Sequence, residues 1–233
     1  KIITSKCFDH ATSCSSENSV IVVDGVYDRF CEALVYQGAV ILNSAEKQLL
    51  QDTMWVNGSL NPVVLARSAV EIADLAGLEG VGSGTSILVV LESGTGPAYP
   101  FSGEKLSPVL ALYRTSDFGA ACEQVRAIYG YQGAGHSVGL HSNNAERAVK
   151  IGLTLPACRV IVNQAHCFAT GGSFDNGLPF SLSMGCGTWG GNSVSDNVNY
   201  RHYLNIVRIV RPIPVNEPSE EALLTDYWNR YGK

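Results

Sequence analysis

Along this chain, short β-branched runs alternate with stretches in which apolar residues recur every three or four positions. Val20–Asp24 opens as an unbroken apolar run, as expected of a strand covered on both faces of a parallel sheet. Tyr27–Gln37 follows with Phe30, Leu34 and Val35 at helical spacing. Val40–Leu42 reads as a short strand, and Ser44 as the cap of a helix running through Glu46 to about Met54. Val56–Pro62 carries Asn, Gly and Pro and reads as a loop, whereas Ala69–Ala76 reads as a helix. The alternation continues with a strand at Ile87–Leu91, a Gly- and Pro-rich segment over 92–103, and a strand at Pro108–Tyr113. Phe118–Tyr129 predicts a helix with Cys122, Val125 and Ile128 along one stripe, and Ser137–Leu140 a short strand. Asn143 and Glu146 stand three apart, as in a capping box that opens a helix to about Leu153.

Arg159–Val162 is the next buried strand, and 169–192 is a long Gly- and Ser-rich segment. A loop of that length inside a domain is usually functional. His202–Val210 is β-rich up to Pro212 and Pro214; Glu217–Tyr231 then reads as a polar helix with Glu220 and Glu221 suited to its positive end. The order of elements predicts an α/β fold: a mainly parallel sheet, helices on both faces, and a ligand cleft at the carboxyl ends of the strands. No internal repeat is visible.

The 233 residues are 45% hydrophobic and 16% charged, ample for a core in one large domain or two small ones. A net charge of -5 lacks the basic face that nucleic-acid binding calls for, so no nucleic-acid partner is expected. No apolar run approaches the length of a membrane span, and no membrane partner is expected. Seven cysteines without a C-x-x-C pair make neither a disulfide framework nor a zinc site, so no metal is expected. Reduced thiols fit a cytoplasmic protein. The chain begins at Lys1 without an initiator methionine, which suggests a piece of a longer protein.

The candidate chemistry starts at Ala11-Thr12-Ser13-Cys14-Ser15-Ser16-Glu17-Asn18, which sets one thiol in a hydroxyl-rich bend before the first strand. Such a thiolate is a strong nucleophile when nearby N–H groups lower its pKa; read alone, Cys14 fits a small core filler as well, since free cysteine is among the most buried residue types. Gly133–His141 has the wrong glycine spacing for a dinucleotide fingerprint and no P-loop lysine. His136 and His141, five apart, point to opposite faces of a strand, so at most one faces a cleft. Glu104 precedes a strand, where it serves either to bond sugar hydroxyls or only as a solvated acid. Gly185–Ser193 suits close approach of backbone to a ligand or a tight packing turn. Arg201, His202, Arg208 and Arg211 make the C-terminal stretch basic, which also protects an exposed sheet edge.

Four segments in order, Phe8–Asn18, Glu104–Leu110, Gly135-His136-Ser137 with His141-Ser142, and Gly185–Asn197 leading to Leu204-Asn205-Ile206, resemble the catalytic half of acylating (CoA-dependent) aldehyde dehydrogenases. The resemblance implies that Cys14 is the nucleophile, that Glu104 binds the nicotinamide ribose of NAD or NADP, and that His136 assists thiol proton transfer or the step with coenzyme A. Leu106 stands where hydrolytic relatives carry a ring-packing phenylalanine. It also implies a catalytic domain over 1–198, an oligomerisation strand and C-terminal helix over 199–233, and a homo-oligomer. The family's N-terminal coenzyme-binding domain is absent from this chain, so the segment alone is expected not to turn over. Read from the residues without the family, a cysteine hydrolase using Cys14 and His136 and a non-catalytic assembly module both remain open.

Overall fold

After a short helix α1 (Ile2–Lys6), the chain runs through β1 (Ser19–Val23), α2 (Asp24–Tyr36), β2 (Ala39–Leu42) and α3 (Ser44–Met54). A hairpin of β3 (Trp55–Val56) and β4 (Ser59–Leu60) leads to α4 (Ala69–Leu75), β5 (Ile87–Leu91), β6 (Val109–Thr115) and α5 (Phe118–Tyr131). Then follow β7 (Val138–Leu140), α6 (Ala145–Thr154), β8 (Val160–Val162), α7 (His166–Thr170) and α8 (Glu220–Tyr231). The structure, a computed structural model, describes all residues 1–233 and divides into two units, 1–202 and 203–233.

The expected parallel α/β sheet is present. Its strands lie in the order β1-β6-β5-β2, every pair parallel, while β7 and β8 form a separate parallel pair. β5 is an interior strand, and Ile87, Leu88, Val89 and Val90 are all fully buried. Alternation along the strand divides them between two cores. Leu88 and Val90 pack with Leu50 and Met54 of α3 and Ile72 and Ala73 of α4. Ile87 and Val89 pack with Val22 and with Leu34 of α2, and α1 covers the same core through Ile2 and Ile3. Burial on both faces is why these strands read as unbroken apolar runs. A third cluster joins β7 to α5 and α6 through Cys122, Val138, Leu140, Ile151 and Leu155.

Several local expectations shift. The cap of α3 is Asn43, not Ser44: its side chain accepts from the N–H groups of Ala45 and Glu46, and Glu46 Oε2 accepts from the Asn43 N–H at 2.7 Å. Starting one residue later would put Lys47 at the third helical position, with no acceptor to close the box. Helix α6 likewise starts after Asn144 rather than Asn143, with Asn144 Oδ1 accepting from the Glu146 N–H. The loop expected at 56–62 holds the β3–β4 hairpin instead. Asn57 (φ 53°) and Gly58 (φ 76°) both take the left-handed conformation that a two-residue hairpin turn requires.

Two larger expectations meet a different arrangement within this chain. Residues 204–219, which include most of the expected β stretch, carry no regular structure; a strand needs a neighbour for its N–H and C=O groups, and no strand of this chain pairs there. Cys14, Glu104 and His136 precede β1, β6 and β7, so the candidate residues stand at the amino ends of strands and not at their carboxyl ends. The cause is connection length. β1 runs directly into α2, a single residue separates β2 from α3, and two separate β6 from α5, leaving little loop to carry side chains there.

Leu88→Ala leaves a cavity between β5 and the α3–α4 layer and is expected to cost about 3 kcal/mol. Urea unfolding should show a lower midpoint with an unchanged slope; a loss under about 1 kcal/mol would contradict the assigned core.

Candidate active site

The cysteine turn is held by its own hydroxyls. The Ser16 N–H donates to the Ser13 carbonyl at 2.9 Å, closing a turn around Cys14 and Ser15. The Ser15 N–H donates to Ser13 Oγ, and Thr12 Oγ1 lies 2.8 Å from the Asp9 carbonyl, to which it donates. Asp9, His10 and Ala11 all have positive φ, a conformation that costs L-residues roughly 1–2 kcal/mol each and must be held by its surroundings. Ser15 and Ser16 are buried while Cys14 is exposed, so the turn presents its thiol outward. The backbone N–H of Cys14 donates to no group of the chain.

Asn18 ties this turn to the sheet and to the Glu104 segment. Its carbonyl accepts from the Ala111 N–H on β6, and its Oδ1 accepts from the Lys105 N–H at 3.1 Å. The fully buried Lys105 ammonium donates back to the Phe101 and Gly103 carbonyls, fixing the bend that carries Glu104. Burial, together with the neighbouring Lys6, holds the Lys105 pKa well below the usual lysine range. Glu104 itself is exposed; its N–H donates to Gln132 Oε1, and its carboxylate bonds to nothing in the chain.

His136 meets the thiol. Its Nε2 lies 3.2 Å from Cys14 Sγ, and its Nδ1 lies 2.7 Å from Ser137 Oγ. Ser137 Oγ is in turn 2.7 Å from Nε2 of the buried His166. Burial, helped by the nearby Arg159, lowers the His136 pKa, so the ring is neutral near pH 7 and able to take a proton. Burial, then the neighbouring His136 and His141, lowers that of His166 to about 4. His141 stays outside this chain of contacts.

The Gly-rich segment is a support for His136. Gly135, at φ 88°, lies so close to it that an added Cβ would stand 2.2 Å from the Cys186 carbonyl and 2.7 Å from the Gly190 nitrogen. Buried Arg159 knits the same segment, donating to Asn197 Oδ1 and to the carbonyls of Gly185 and Ser195. The packing-turn reading of Gly185–Ser193 is therefore the one observed.

Two charges flank the turn in sequence. Lys6 is wholly buried with no hydrogen-bond partner, and burial lowers its pKa to about 8 although Glu17 pulls it up. Burial raises the pKa of Glu17, against the pull of the Ser5 hydroxyl, the backbone of Glu17 and His166, and the Lys6 charge.

Cys14 and His136 thus come together from positions 122 residues apart, while Glu104 contacts neither. His166 is the member that reading the sequence missed. It begins a five-residue helix with no motif around it, and only the fold brings it under Ser137. Among all residues, no cluster of three or more His, Cys, Asp or Glu is placed to hold a metal ion. No helix is long and apolar enough to cross a membrane.

No protein-family model matches the chain. A sulfoacetaldehyde dehydrogenase (acylating) from Cupriavidus necator is 58% identical over 234 residues, which cover 100% of this chain and 48% of that protein. A succinate-semialdehyde dehydrogenase (acetylating) from Clostridium kluyveri is 39% identical, over 89% of this chain and 46% of that protein. The crystal structure of an acetylating aldehyde dehydrogenase from Geobacillus thermoglucosidasius matches with a TM-score of 0.85 and 37% identity, over 92% of this chain and 48% of that one. Along nearly its whole length the chain is similar to one half of these acylating aldehyde dehydrogenases. The chain spans about half the length of the relatives it matches.

Within the segment, His166 makes stability depend on pH. Its folded pKa of about 4 lies below the ordinary 6.5, so between those values the unfolded chain binds a proton that the folded chain refuses. Its contribution is complete above about pH 6.5 and is lost as pH falls through 4, amounting to about 3 kcal/mol. His166→Gln should flatten this acid limb when urea midpoints are compared at pH 7 and pH 4.5; an unchanged difference would contradict the assignment.

Proposed function

We propose that this chain is the catalytic segment of an enzyme that oxidises an aldehyde to its acyl-CoA through a thioester on Cys14, with NAD or NADP as hydride acceptor. The observation that carries the proposal is the 3.2 Å approach of His136 Nε2 to an exposed thiol, in a chain 58% identical to a relative named for this reaction. Sulfoacetaldehyde is the substrate proposed first, on the name of that relative. Succinate semialdehyde and acetaldehyde are the alternatives.

The chemistry follows from the residues. Neutral His136 takes the thiol proton on Nε2, and the Cys14 sulfur adds to the aldehyde carbon. The free Cys14 N–H donates to the oxygen on which charge develops, a role worth about 3 kcal/mol for a well-aimed donor. Loss of a hydride from the resulting thiohemiacetal leaves a thioester on Cys14. His136, having passed that proton to solvent, then accepts the proton of the incoming coenzyme A thiol; the coenzyme sulfur attacks the thioester, acyl-CoA leaves, and the departing Cys14 thiolate takes the proton back from His136.

Glu104 fits the nicotinamide side. Its carboxylate is exposed and unpartnered, as an acceptor for two ribose hydroxyls must be. A bound nicotinamide supplies the hydride acceptor, and most of its other contacts are proposed to come from a coenzyme domain outside these residues. The apolar, solvent-exposed residues Val207, Ile209, Val210, Ile213 and Val215 are proposed to pair with a second subunit in a homo-oligomer.

The test is an aldehyde panel, assayed with and without coenzyme A on the complete enzyme. Nicotinamide reduction should require coenzyme A and yield the acyl-CoA. Cys14→Ala should abolish it, and His136→Ala should lower kcat by about 10²–10⁴-fold. Coenzyme A-independent formation of a carboxylate, or full activity of His136→Ala, would overturn the proposal.

A further inference from the structure

His166 is buried, lies beside the proposed catalytic pair, and has no part in the steps above. We infer that His166 acts through the Ser137 hydroxyl as a positioning residue, holding the proton of neutral His136 on Nδ1 so that Nε2 faces the Cys14 sulfur bare. The inference rests on the proposed function for the identity of the nucleophile.

The argument is a count of protons. Ser137 Oγ stands 2.7 Å from both His136 Nδ1 and His166 Nε2. A hydroxyl has one proton to donate, so one ring accepts it and the other must donate an N–H to the oxygen. Two arrangements satisfy both contacts. In the first, His136 Nδ1–H donates to Ser137, Ser137 donates to His166 Nε2, and His136 Nε2 is free to accept from the Cys14 thiol. In the second, His166 Nε2–H donates to Ser137, Ser137 donates to His136 Nδ1, and His136 Nε2–H points at the sulfur. A thiol sulfur is a weak acceptor and an imidazole nitrogen a good one, so the first arrangement makes the better contact at Cys14. His166 Nδ1 is unpartnered in both, as a buried N–H in the first and as a bare nitrogen in the second, so the first arrangement carries one unmet donor beside its better contact at Cys14.

His166 is well anchored for this task. The next residue, Cys167, donates its N–H to Ser5 Oγ at 2.8 Å, and Phe168 stacks edge-on against Phe8 at 4.8 Å. Helix α7 is thereby tied to α1 and to the first residue of the segment that turns into Cys14. Ser137 is fixed from its other side, since Tyr129 Oη donates to its carbonyl at 2.6 Å. When Cys14 gives up its proton, His136 carries it as an imidazolium that still donates from Nδ1 to Ser137. Burial opposes protonation of His166, so the proton stops at His136.

The test uses the complete enzyme with Ser137→Ala, Ser137→Thr and His166→Leu, following the pH dependence of Cys14 alkylation by iodoacetamide beside kcat and KM. Ser137→Ala and His166→Leu should shift the alkylation profile and lower kcat on the order of 10²-fold with the aldehyde KM unchanged. Ser137→Thr keeps the hydroxyl and should restore the wild-type profile. If His166→Leu does not fold, the two Ser137 variants decide. Wild-type profiles in Ser137→Ala would overturn the inference while leaving the proposed function standing, provided His136→Ala still loses its profile. If His136→Ala also keeps it, the proposed function fails instead.

Discussion

The approach of His136 Nε2 to Cys14 Sγ joins two loops 122 residues apart, and neither loop has regular structure of its own to hold it there. Its geometry is borrowed from the sheet. The β1–β6 ladder continues to Asn18, whose carbonyl accepts from the Ala111 N–H, and Asn18 Oδ1 then accepts from the Lys105 N–H and so fixes the thiol turn. The β7–β8 pair fixes His136 from the other side, because its pairing extends to Gly135 and Ala157. Gly135 then lies so tightly on Cys186 and Gly190 that any side chain would push the histidine off line. A contact near hydrogen-bond length tolerates little displacement, which explains why buried Arg159 spends its guanidinium on backbone carbonyls behind the Gly-rich segment.

Most of the sheet could be read from the chain because packing on two faces leaves a plain mark: Ile87–Val90 are apolar and fully buried, and Val20–Val23 are apolar at every position although β1 is an edge strand in which only Val22 is buried. The thiol turn was equally legible, since its serines and threonine do locally what such residues do in any bend. What could not be read depended on partners distant in sequence. Nothing around His166 distinguishes it from a core histidine; the cap of α3, by contrast, turned on a local partner, Glu46 three residues after Asn43. The β-rich stretch after His202 has strand composition, yet composition cannot supply the neighbour that a strand needs. The rule placing ligands at carboxyl ends of parallel strands does not pick out the candidate residues for a different reason: here three of the four strands of the main sheet, β1, β2 and β6, pass almost at once into helices at those ends.

Burial sets the electrostatics of the site more than charge pairing does. His136 and His166 are kept neutral chiefly by loss of water, and so are ready to accept or to relay a hydrogen bond without carrying charge. The same burial lowers the Lys6 pKa and raises that of Glu17 next to the turn, each opposed by the other's charge. The backbone strain at Asp9, His10 and Ala11 lies in the same stretch. Such strain is common where a reactive group must be held in one geometry.

The central claim is that Cys14 carries the acyl group. The most direct measurement incubates the complete enzyme with an acyl-CoA and no nicotinamide, then maps the added mass by peptide mass spectrometry. The account predicts one acyl group per chain, on the peptide containing Cys14 and removed by free coenzyme A. Acylation of another of the seven cysteines in its place, or none at all, would contradict it.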